Sequence, residues 1–385
     1  MELTYLTPGQ IVWQVILRFA PVLISLAAIM VVSMIFRRRL GFYGRIFESG
    51  IGMIGLALLL FWLLTALMAN WITLFDPFEQ IRALQNKPPG AIAPDIGLPY
   101  LFGGDSLGRC VFSRMVYGSR TVMAIAPLAT LFAYMVGIML GLPAGYHGGW
   151  LDTALSFVAN LVLAFPVILL FYLLVTPEIR QTLIPGAMAA VLFIFPVLFL
   201  LTLFWSRFRE RPGVLLYTVL PVLVIGGFIY VGLIGLWDPT GLITMEPNTL
   251  NIFLAVVFIT SPTVFRIVRG LTLDIKTRDY VAAAQTRGER PWYIMLWEIL
   301  PNARGPLIVD ACLRIGYTTI LLGTLGFFGL GVSPESADWG STINEGRKLL
   351  RLYIHPALPP ALAIMSLVLG LNLLADALRE QSMKD

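Results

Sequence analysis

The sequence predicts an all-α polytopic membrane protein. Hydrophobic residues make up 58% of the 385 residues and charged residues only 13%, whereas about 25% of residues are charged in typical soluble domains. Mean hydropathy is +0.82, and long apolar runs alternate with polar segments. These observations exclude an ordinary soluble enzyme and predict about nine transmembrane helices.

Nine apolar runs carry this prediction, because a helix needs about 20 mostly apolar residues to cross a bilayer. They are Phe19–Phe36, Gly50–Leu74, Val122–Pro143, Thr153–Leu174, Ile184–Phe204, Leu215–Leu236, Leu250–Ile267, Leu307–Leu330 and Ala357–Leu374. Arg37, Arg38 and Arg39 follow the first run directly. A cleaved signal peptide carries its positive charge before the apolar run, so this order predicts a permanent anchor with its N-terminus outside. Prolines inside several runs, Pro166 among them, predict kinks.

The distribution of Lys and Arg supports this topology. With the N-terminus outside, basic residues are more numerous in inside segments than in outside segments, as the positive-inside rule requires. The net charge of +5 comes from basic residues scattered between apolar runs, with no face that could hold phosphates. We therefore expect membrane lipid, and no nucleic acid, around this chain.

The sequence lacks the residue patterns of a membrane enzyme. Its two histidines, His147 and His355, have no cysteine or carboxylate at ligand spacing, so no metal site is expected. No Gly-rich loop ends in Gly-Lys-Ser/Thr, so we expect no P-loop, no catalytic residue and no cofactor in this chain. Asp310 and Arg314 lie four residues apart within one span and are interpreted as a structural ion pair, with a transport role as the alternative.

The most informative polar segment is residues 274–305, called the inner loop below, which holds five basic residues. Asp279–Gln285 favours a helix that Gly288 would stop, and Pro291 can open a second short helix that Leu300-Pro301 would end. The pattern predicts a helix-turn-helix whose alanines form a small-residue face for a partner. An amphipathic loop resting on the lipid surface is the alternative.

This loop resembles the "EAA" loop of ABC importer permeases, in which an acidic-Ala-Ala triplet precedes a glycine and, further on, Ile-Leu-Pro. The matching residues are Tyr280, Ala283, Ala284, Gly288, Ile294, Ile299, Leu300, Pro301 and Asn302. The resemblance implies that the loop is the coupling helix that docks in a groove of the cytoplasmic ATPase. Ala282 stands where the family usually has Glu, so the docking shape is implied without a salt bridge from this position.

Further stretches resemble the second permease subunit of the dipeptide, oligopeptide and nickel importer branch. They are Gly103–Arg114 with Tyr117–Arg120, Ala144–Asp152 with Leu163–Pro166, Phe328–Val332 with Trp339-Gly340, and Asn372–Arg379. The motif residues with an implied structural role are Asp105, Gly108, Arg109, Ser113, Arg114, Asp152, Pro166, Gly329, Trp339, Asn372 and Asp376. Gly104 and Cys110 replace the Thr and Asp of the branch, and Leu322 stands where the branch often has Glu.

The resemblance implies a type I-like permease bundle with a six-span core and three extra spans. We expect an extra span with a basic cytoplasmic loop over residues 1–49 and the first half of the core over 50–183, with an external loop at 75–119. An inserted pair of spans over 184–249 and the second half of the core over 250–385 follow. The inserted pair is expected to be peripheral, because the flanking segments suffice for a six-span core.

The implied function is that of a permease subunit in the bacterial cytoplasmic (inner) membrane, which moves peptides or similar small solutes inward by alternating access. The implied partners are a second permease subunit in a heterodimer, two ATPase subunits that bind ATP and Mg, and an extracytoplasmic solute-binding protein. A secondary transporter or channel without an ATPase is the alternative, and a membrane scaffold without transport activity is a third interpretation. The branch covers peptides, nickel, opines and sugars, so the substrate stays open.

Overall fold

The computed structural model describes residues 4–94, 96–180, 182–235, 237–241, 245–330 and 336–382. Its regular structure is almost entirely helical, which confirms the predicted all-α class. A short antiparallel ribbon, β1 (Ala91–Ile92) and β2 (Pro99–Tyr100), pairs Ala91 with Tyr100.

Most connections between the helices are short, but residues 73–110 form a long one. In chain order, the α-helices of the described residues are α1 (Pro8–Ile35), α2 (Gly41–Arg45), α3 (Gly50–Leu67), α4 (Ala69–Ile72), α5 (Val111–His147), α6 (Gly149–Ala164), α7 (Val167–Val175), α8 (Pro177–Arg180), α9 (Ile184–Phe208), α10 (Pro212–Pro221), α11 (Gly227–Leu233), α12 (Pro247–Ile275), α13 (Asp279–Thr286), α14 (Pro291–Tyr293), α15 (Leu300–Asn302), α16 (Arg304–Phe327), α17 (Trp339–Arg347) and α18 (Leu358–Ser382). Val222–Gly226 and Ile294–Ile299 are π-helical. Arg37–Arg39, Ile46–Glu48 and Arg82–Leu84 form 3₁₀ turns.

Eight helices of the described residues are long and apolar enough to cross a membrane. They are α1, α3, α5, α9, α12, α16, α18 and the continuous helix Pro212–Leu233 formed by α10, the π-helical turn and α11. A ninth crossing results if α6 and α7, which meet at an angle of 84°, count as one span. The predicted number of about nine spans is thereby confirmed.

The predicted span Thr153–Leu174 bends sharply at Phe165 and Pro166, which confirms the kink predicted at Pro166. Phe165 has an extended backbone, with φ −78° and ψ 139°. A proline disfavours the helical conformation in the residue before it and cannot donate a backbone hydrogen bond. In contrast, Pro196 and Pro262 lie inside the helices α9 and α12.

The helix α5 begins at Val111, well before the predicted start at Val122. It therefore includes the last residues of the segment expected to be the external loop. Three polar side chains in this added part, Ser113, Arg114 and Ser119, are fully buried. Hydropathy alone could not place them in a helix, because it does not reveal that these polar side chains are buried.

The chain divides into two compact units, each with its own packing. Unit 1 contains Met1–Pro127 and Val309–Asp385, and unit 2 contains Leu128–Ile308. The boundaries fall inside the helices α5 and α16. The four segments expected from the sequence, at 1–49, 50–183, 184–249 and 250–385, stay a prediction about family core and insertions.

In unit 1, the helices α3 and α18 pack backbone against backbone. A Cβ atom built on Gly55 would lie 2.8 Å from the carbonyl oxygen of Gly370. Small residues at such crossings let membrane helices approach closely. Trp62 adds a polar link, because its Nε1 donates to Ser366 Oγ at 2.9 Å.

In unit 2, the second half of α5 packs on α12 through glycines spaced four residues apart. Cβ atoms built on Gly137, Gly141 and Gly145 would lie 2.5–2.9 Å from side-chain atoms of α12. Residues four apart lie on one face of a helix, so the three glycines form a continuous groove. The helix α12 is buried without a break from Asn251 to Val257.

Candidate functional site

The inner loop folds as two short helices, as predicted. The first helix, α13, ends in a Schellman motif at Gly288, whose φ is +79°. The Gly288 N–H donates to the carbonyl of Gln285 at 2.9 Å, and the Glu289 N–H donates to that of Ala284 at 3.1 Å. Glycine adopts this left-handed conformation without the penalty that a Cβ atom carries.

The predicted alanine face is split by the helix geometry. Val281 and Ala284 are buried, whereas Ala282 and Ala283 are exposed and Tyr280 is 38% exposed. Successive residues point about 100° apart around an α-helix, so three consecutive alanines cannot share one face. The expectation of a face built from all three alanines is therefore wrong, and the exposed small surface consists of Ala282 and Ala283.

The second helix of the inner loop runs from Pro291 to Asn302 through a π-helical stretch. Its buried side includes Ile294, Met295, Leu296 and Ile299. The predicted end at Leu300-Pro301 is wrong, because the helix continues to Asn302, whose Nδ2 donates to the carbonyl of Glu298 at 2.6 Å. Leu300 is partly buried, and Pro301 is exposed.

The end of α12 and the first helix of the inner loop are both tied to the inner end of α5. Lys276 Nζ donates to the carbonyl oxygens of Gly145 and Tyr146 at 2.8 and 3.3 Å. Gln285 Nε2 donates to the Tyr146 hydroxyl at 3.2 Å. The two helices of the loop are joined by an ion pair, in which Arg287 Nη2 lies 3.0 Å from Glu298 Oε1.

Asp152, in the first turn of α6, forms a two-pronged ion pair with Arg269 of α12. Arg269 Nη2 donates to Asp152 Oδ2 at 2.6 Å, and Nε donates to Oδ1. The Arg269 and Asp152 side chains are 33% and 17% exposed. Gly148 and Gly149, with φ near +65°, make the turn that presents Asp152. The pair fixes α12 just before the inner loop begins.

A second group of motif residues forms a buried ion cluster in unit 1, consisting of Asp105, Arg109, Arg114 and Glu345. Asp105 Oδ1 accepts the backbone N–H groups of Leu107 and Arg109 at 2.9 and 2.8 Å, and its Oδ2 accepts Arg109 Nε at 2.7 Å. Arg109 Nη2 also contacts Glu345 Oε2. The Asp105 and Arg109 side chains are each 2% exposed and that of Arg114 is 0% exposed. The cluster joins the segment before α5 to α17.

Arg114 connects this cluster to the segment before α17. Its Nη2 donates to the carbonyl of Ser336 at 2.8 Å and lies 3.6 Å from Glu345 Oε2. Burial raises the pKa of Glu345, against the opposite effects of Arg114 and Arg109. The sequence reasoning missed Glu345, which lies outside the quoted motifs. Charge balance could have indicated it, because two buried arginines require more than the single carboxylate of Asp105.

Gly108 and Trp339 show why their motifs need these residue types. Gly108 has φ +77°, and a Cβ atom there would lie 2.4 Å from the carbonyl oxygen of Ile81. Trp339 is buried, and its Nε1 donates to the carbonyl of Met115 at 2.7 Å. Gly118 leaves room for this ring, since a Cβ atom there would lie 2.4 Å from Trp339 Cδ1.

The remaining motif residues do not gather at one site. Pro166 lies at the bend between α6 and α7, and Gly329, with φ +80°, follows the end of α16. Asn372 and Asp376 are exposed on α18. Gly331 and Val332, which complete one motif, lie outside the described residues.

The predicted pair of Asp310 and Arg314 forms, with Arg314 Nε 2.5 Å from Asp310 Oδ2. Both side chains are largely buried within α16. In the part of the chain that the structure describes, no group of three His, Cys, Asp or Glu side chains could hold a metal ion.

The membrane-length helices, together with the two-helix inner loop of unit 2, define a multi-pass membrane protein of the permease class. The family described as "Binding-protein-dependent transport system inner membrane component" matches residues 137–382, and the chain belongs to this family. The predicted fold and the predicted function of a permease subunit in an ABC importer are thereby confirmed. This result favours the permease over a secondary transporter, a channel or a scaffold.

Curated relatives resemble the chain over most of its length. The dipeptide transport system permease protein DppC of Haemophilus influenzae is 28% identical over 329 residues, which cover 85% of this chain and 88% of the relative. The glutathione transport system permease protein GsiD of Pectobacterium atrosepticum is 28% identical over 325 residues, 83% of each chain. A DppC protein of Alkalihalophilus pseudofirmus is 25% identical over 333 residues, which cover 86% of this chain and 85% of the relative.

Proposed function

We propose that this chain imports peptides or similar small solutes across the cytoplasmic membrane of a bacterium, as one half of a permease heterodimer. An extracytoplasmic solute-binding protein delivers the solute, and two ATPase subunits bind ATP and Mg on the inner side. Relatives named for dipeptide and glutathione transport support a solute of peptide character. ATP hydrolysis belongs to the partner subunits, and this chain contributes the passage and the contact that opens it.

The observation that carries this proposal is the difference in exposure between the two helices of the inner loop. The second helix buries its apolar side chains, whereas Ala282, Ala283 and Tyr280 on the first helix are exposed. Small exposed side chains let a partner backbone come close, and the buried second helix transmits any displacement into the bundle. We assign docking on the ATPase to this exposed surface.

The departure at Ala282 determines the chemistry of docking. A Glu there, usual in the family, would offer a charge to the ATPase, whereas an alanine offers only shape. Docking therefore relies on close fit at Ala282 and Ala283, and a buried unpaired charge at this contact would be costly. The motion that follows is alternating access, in which packed helices move as rigid bodies.

The test of this function uses Ala283→Asp and, as its matched control, Ala283→Ser. A complex is isolated from native membranes through a tag on this chain, and its ATPase subunits are quantified together with the uptake of labelled dialanine and glutathione. Ala283→Asp should leave membrane abundance unchanged, because the residue is exposed, but should abolish ATPase retention and uptake. Ala283→Ser should keep both. Normal uptake by the Asp variant at equal abundance would refute docking at this surface.

Gly288 provides a second test, based on backbone conformation rather than contact. A Cβ atom at Gly288 meets no other atom within 4 Å, so a substitution acts only through φ. Gly288→Val should misdirect the first helix and remove uptake, because left-handed backbone costs about 1–2 kcal/mol for such a residue. Gly288→Asn should retain much of the uptake, since Asn adopts positive φ more readily. Equal uptake by both variants would show that the direction of this helix is unimportant.

A further inference from the structure

The helix α9, which lies in the segment expected to be an insertion, contacts the inner loop directly at Trp297 of the second helix. Trp297 Nε1 donates to Ser206 Oγ at 3.1 Å. The guanidinium of Arg207 lies over the same indole ring, 4.3 Å from its centroid. A cation over an aromatic face is attractive, so the hydrogen bond and the stacked charge act on one side chain from two directions.

The helix α9 packs on α5 and α12 within unit 2, and its buried residues lie in its first half. The Phe193 ring packs edge to face on Phe132, with centroids 5.5 Å apart, and lies 5.8 Å from the Phe253 ring of α12. One turn before Ser206, Thr202 Oγ1 lies 3.5 Å from Met139 Sδ of α5. The helix Pro212–Leu233, which follows α9, differs from it, because the most apolar part of this helix has no buried residue. Within the segment expected to be an insertion, only Pro212–Leu233 therefore has the exposure expected of a peripheral helix.

The π-helical stretch explains how Trp297 reaches α9. Ile294, Met295 and Leu296 are buried in succession, and Trp297 and Glu298 follow on the partly exposed side. A π-helical insertion shifts the side chains that follow it relative to an α-helix, and such insertions are frequent at functional sites. Trp297 thus points to α9, while Glu298 pairs with Arg287 at the end of the first helix.

We infer that α9 holds the second helix of the inner loop in position through the contacts of Ser206 and Arg207 with Trp297, which are called the brace below. The brace fixes the second helix to α9, and through α9 to α5 and α12, so that a displacement of the first helix moves these helices instead of bending the loop alone. This inference rests on the proposed function, in which the first helix receives the motion of the ATPase. It gives α9 a positioning role in transport.

The chain offers a matched control for the brace. Arg209 lies only two residues beyond Arg207, and its guanidinium stacks over Trp205 of its own helix, 5.2 Å from the ring centroid. Arg207→Gln and Arg209→Gln therefore remove the same charge from the same helix end. Only the first removes a contact with the inner loop.

The experiment measures solute moved per ATP hydrolysed by the complete complex in lipid vesicles, with labelled dialanine and glutathione as probes. Trp297→Ala should lower this ratio about fivefold and Arg207→Gln about twofold at unchanged abundance. Trp297→Phe keeps an aromatic ring for Arg207 and loses only the hydrogen bond, so it should fall less than Trp297→Ala. Arg209→Gln should match the wild type. A merely structural role would lower abundance and leave the ratio of the surviving complex unchanged.

A cross-link between α9 and the second helix of the inner loop distinguishes a contact that stays closed during transport from one that must open. In the double variant Ser206→Cys with Trp297→Cys, a short bifunctional thiol reagent should restore the ratio lost without the reagent, and Ser206→Cys alone with the same reagent serves as the control. Blocked transport after cross-linking, or a wild-type ratio in both Trp297→Ala and Arg207→Gln, would overturn the brace. Failure of the wild-type chain to retain any ATPase would instead overturn the proposed function.

Discussion

The ion cluster of unit 1 and the ion pairs around the inner loop are formed by the same types of charged residue, but they differ in exposure to solvent. In the cluster, Asp105 and Arg109 are 2% exposed. Around the inner loop, exposure rises from the Asp152–Arg269 pair to Arg278 and Asp274, which are 59% and 66% exposed. Buried charges are costly to leave unpaired, whereas exposed pairs contribute little. The difference indicates that ion pairs contribute more to the stability of unit 1 than the pairs around the inner loop contribute to unit 2.

The largest expected effect tests the buried side of this comparison. Arg109→Met leaves the carboxylates of Asp105 and Glu345 without their closest cation, so the folded protein should lose about 3–5 kcal/mol of stability. The measurement is membrane abundance and the melting temperature of the purified chain. Arg347→Met is the control, because Arg347 lies on the same helix as Glu345 but is exposed. Equal effects of the two substitutions would contradict a structural role for burial.

Asp152→Asn tests the ion pair of intermediate exposure, which Asp152 forms with Arg269. It keeps the shape of the side chain but removes the charge that Arg269 contacts through two nitrogen atoms. Because both side chains are partly exposed, we expect a loss of only about 1 kcal/mol, well below that of Arg109→Met. Thermal unfolding of the two variants side by side measures the difference. A loss as large as that of Arg109→Met would mean that the two regions do not differ in kind.

The sequence predicted features that depend on local pattern and missed those that depend on distant partners. Apolar runs located most spans, and Gly288 and Pro291 were recognised by their backbone preferences. The early start of α5 was not predicted, because Ser113 and Arg114 look like loop residues until their burial is known. Glu345 and the contact of Trp297 with α9 lie far from their partners in sequence, so no spacing rule could indicate them. The separation of Ala284 from its neighbours, in contrast, follows from the 100° step of the helix and could have been predicted.

His355 tests a smaller electrostatic effect in unit 1. Burial lowers the pKa of His355, although its hydrogen bond with the carbonyl of Gly104, at 3.1 Å, acts in the opposite direction. The unfolded chain therefore binds a proton more readily than the folded chain, and stability rises with pH through this range. The melting temperature should be constant above about pH 6.5 and fall as the pH is lowered from there. His355→Gln should reduce this slope, and an unchanged slope would assign it to other groups.

The smallest expected effect tests the exposed end of the comparison. Arg278 Nη2 lies 3.0 Å from Asp274 Oδ2 just before the first helix of the inner loop, with both side chains more than half exposed. Residues four apart on a helical turn gain at most about 0.5 kcal/mol from such a pair, and salt screens it further. Arg278→Gln should therefore leave the melting temperature unchanged, while Asp152→Asn in the same unit lowers it. A clear loss of stability in the complete complex, but not in the isolated chain, would mean that an ATPase subunit buries this pair on docking.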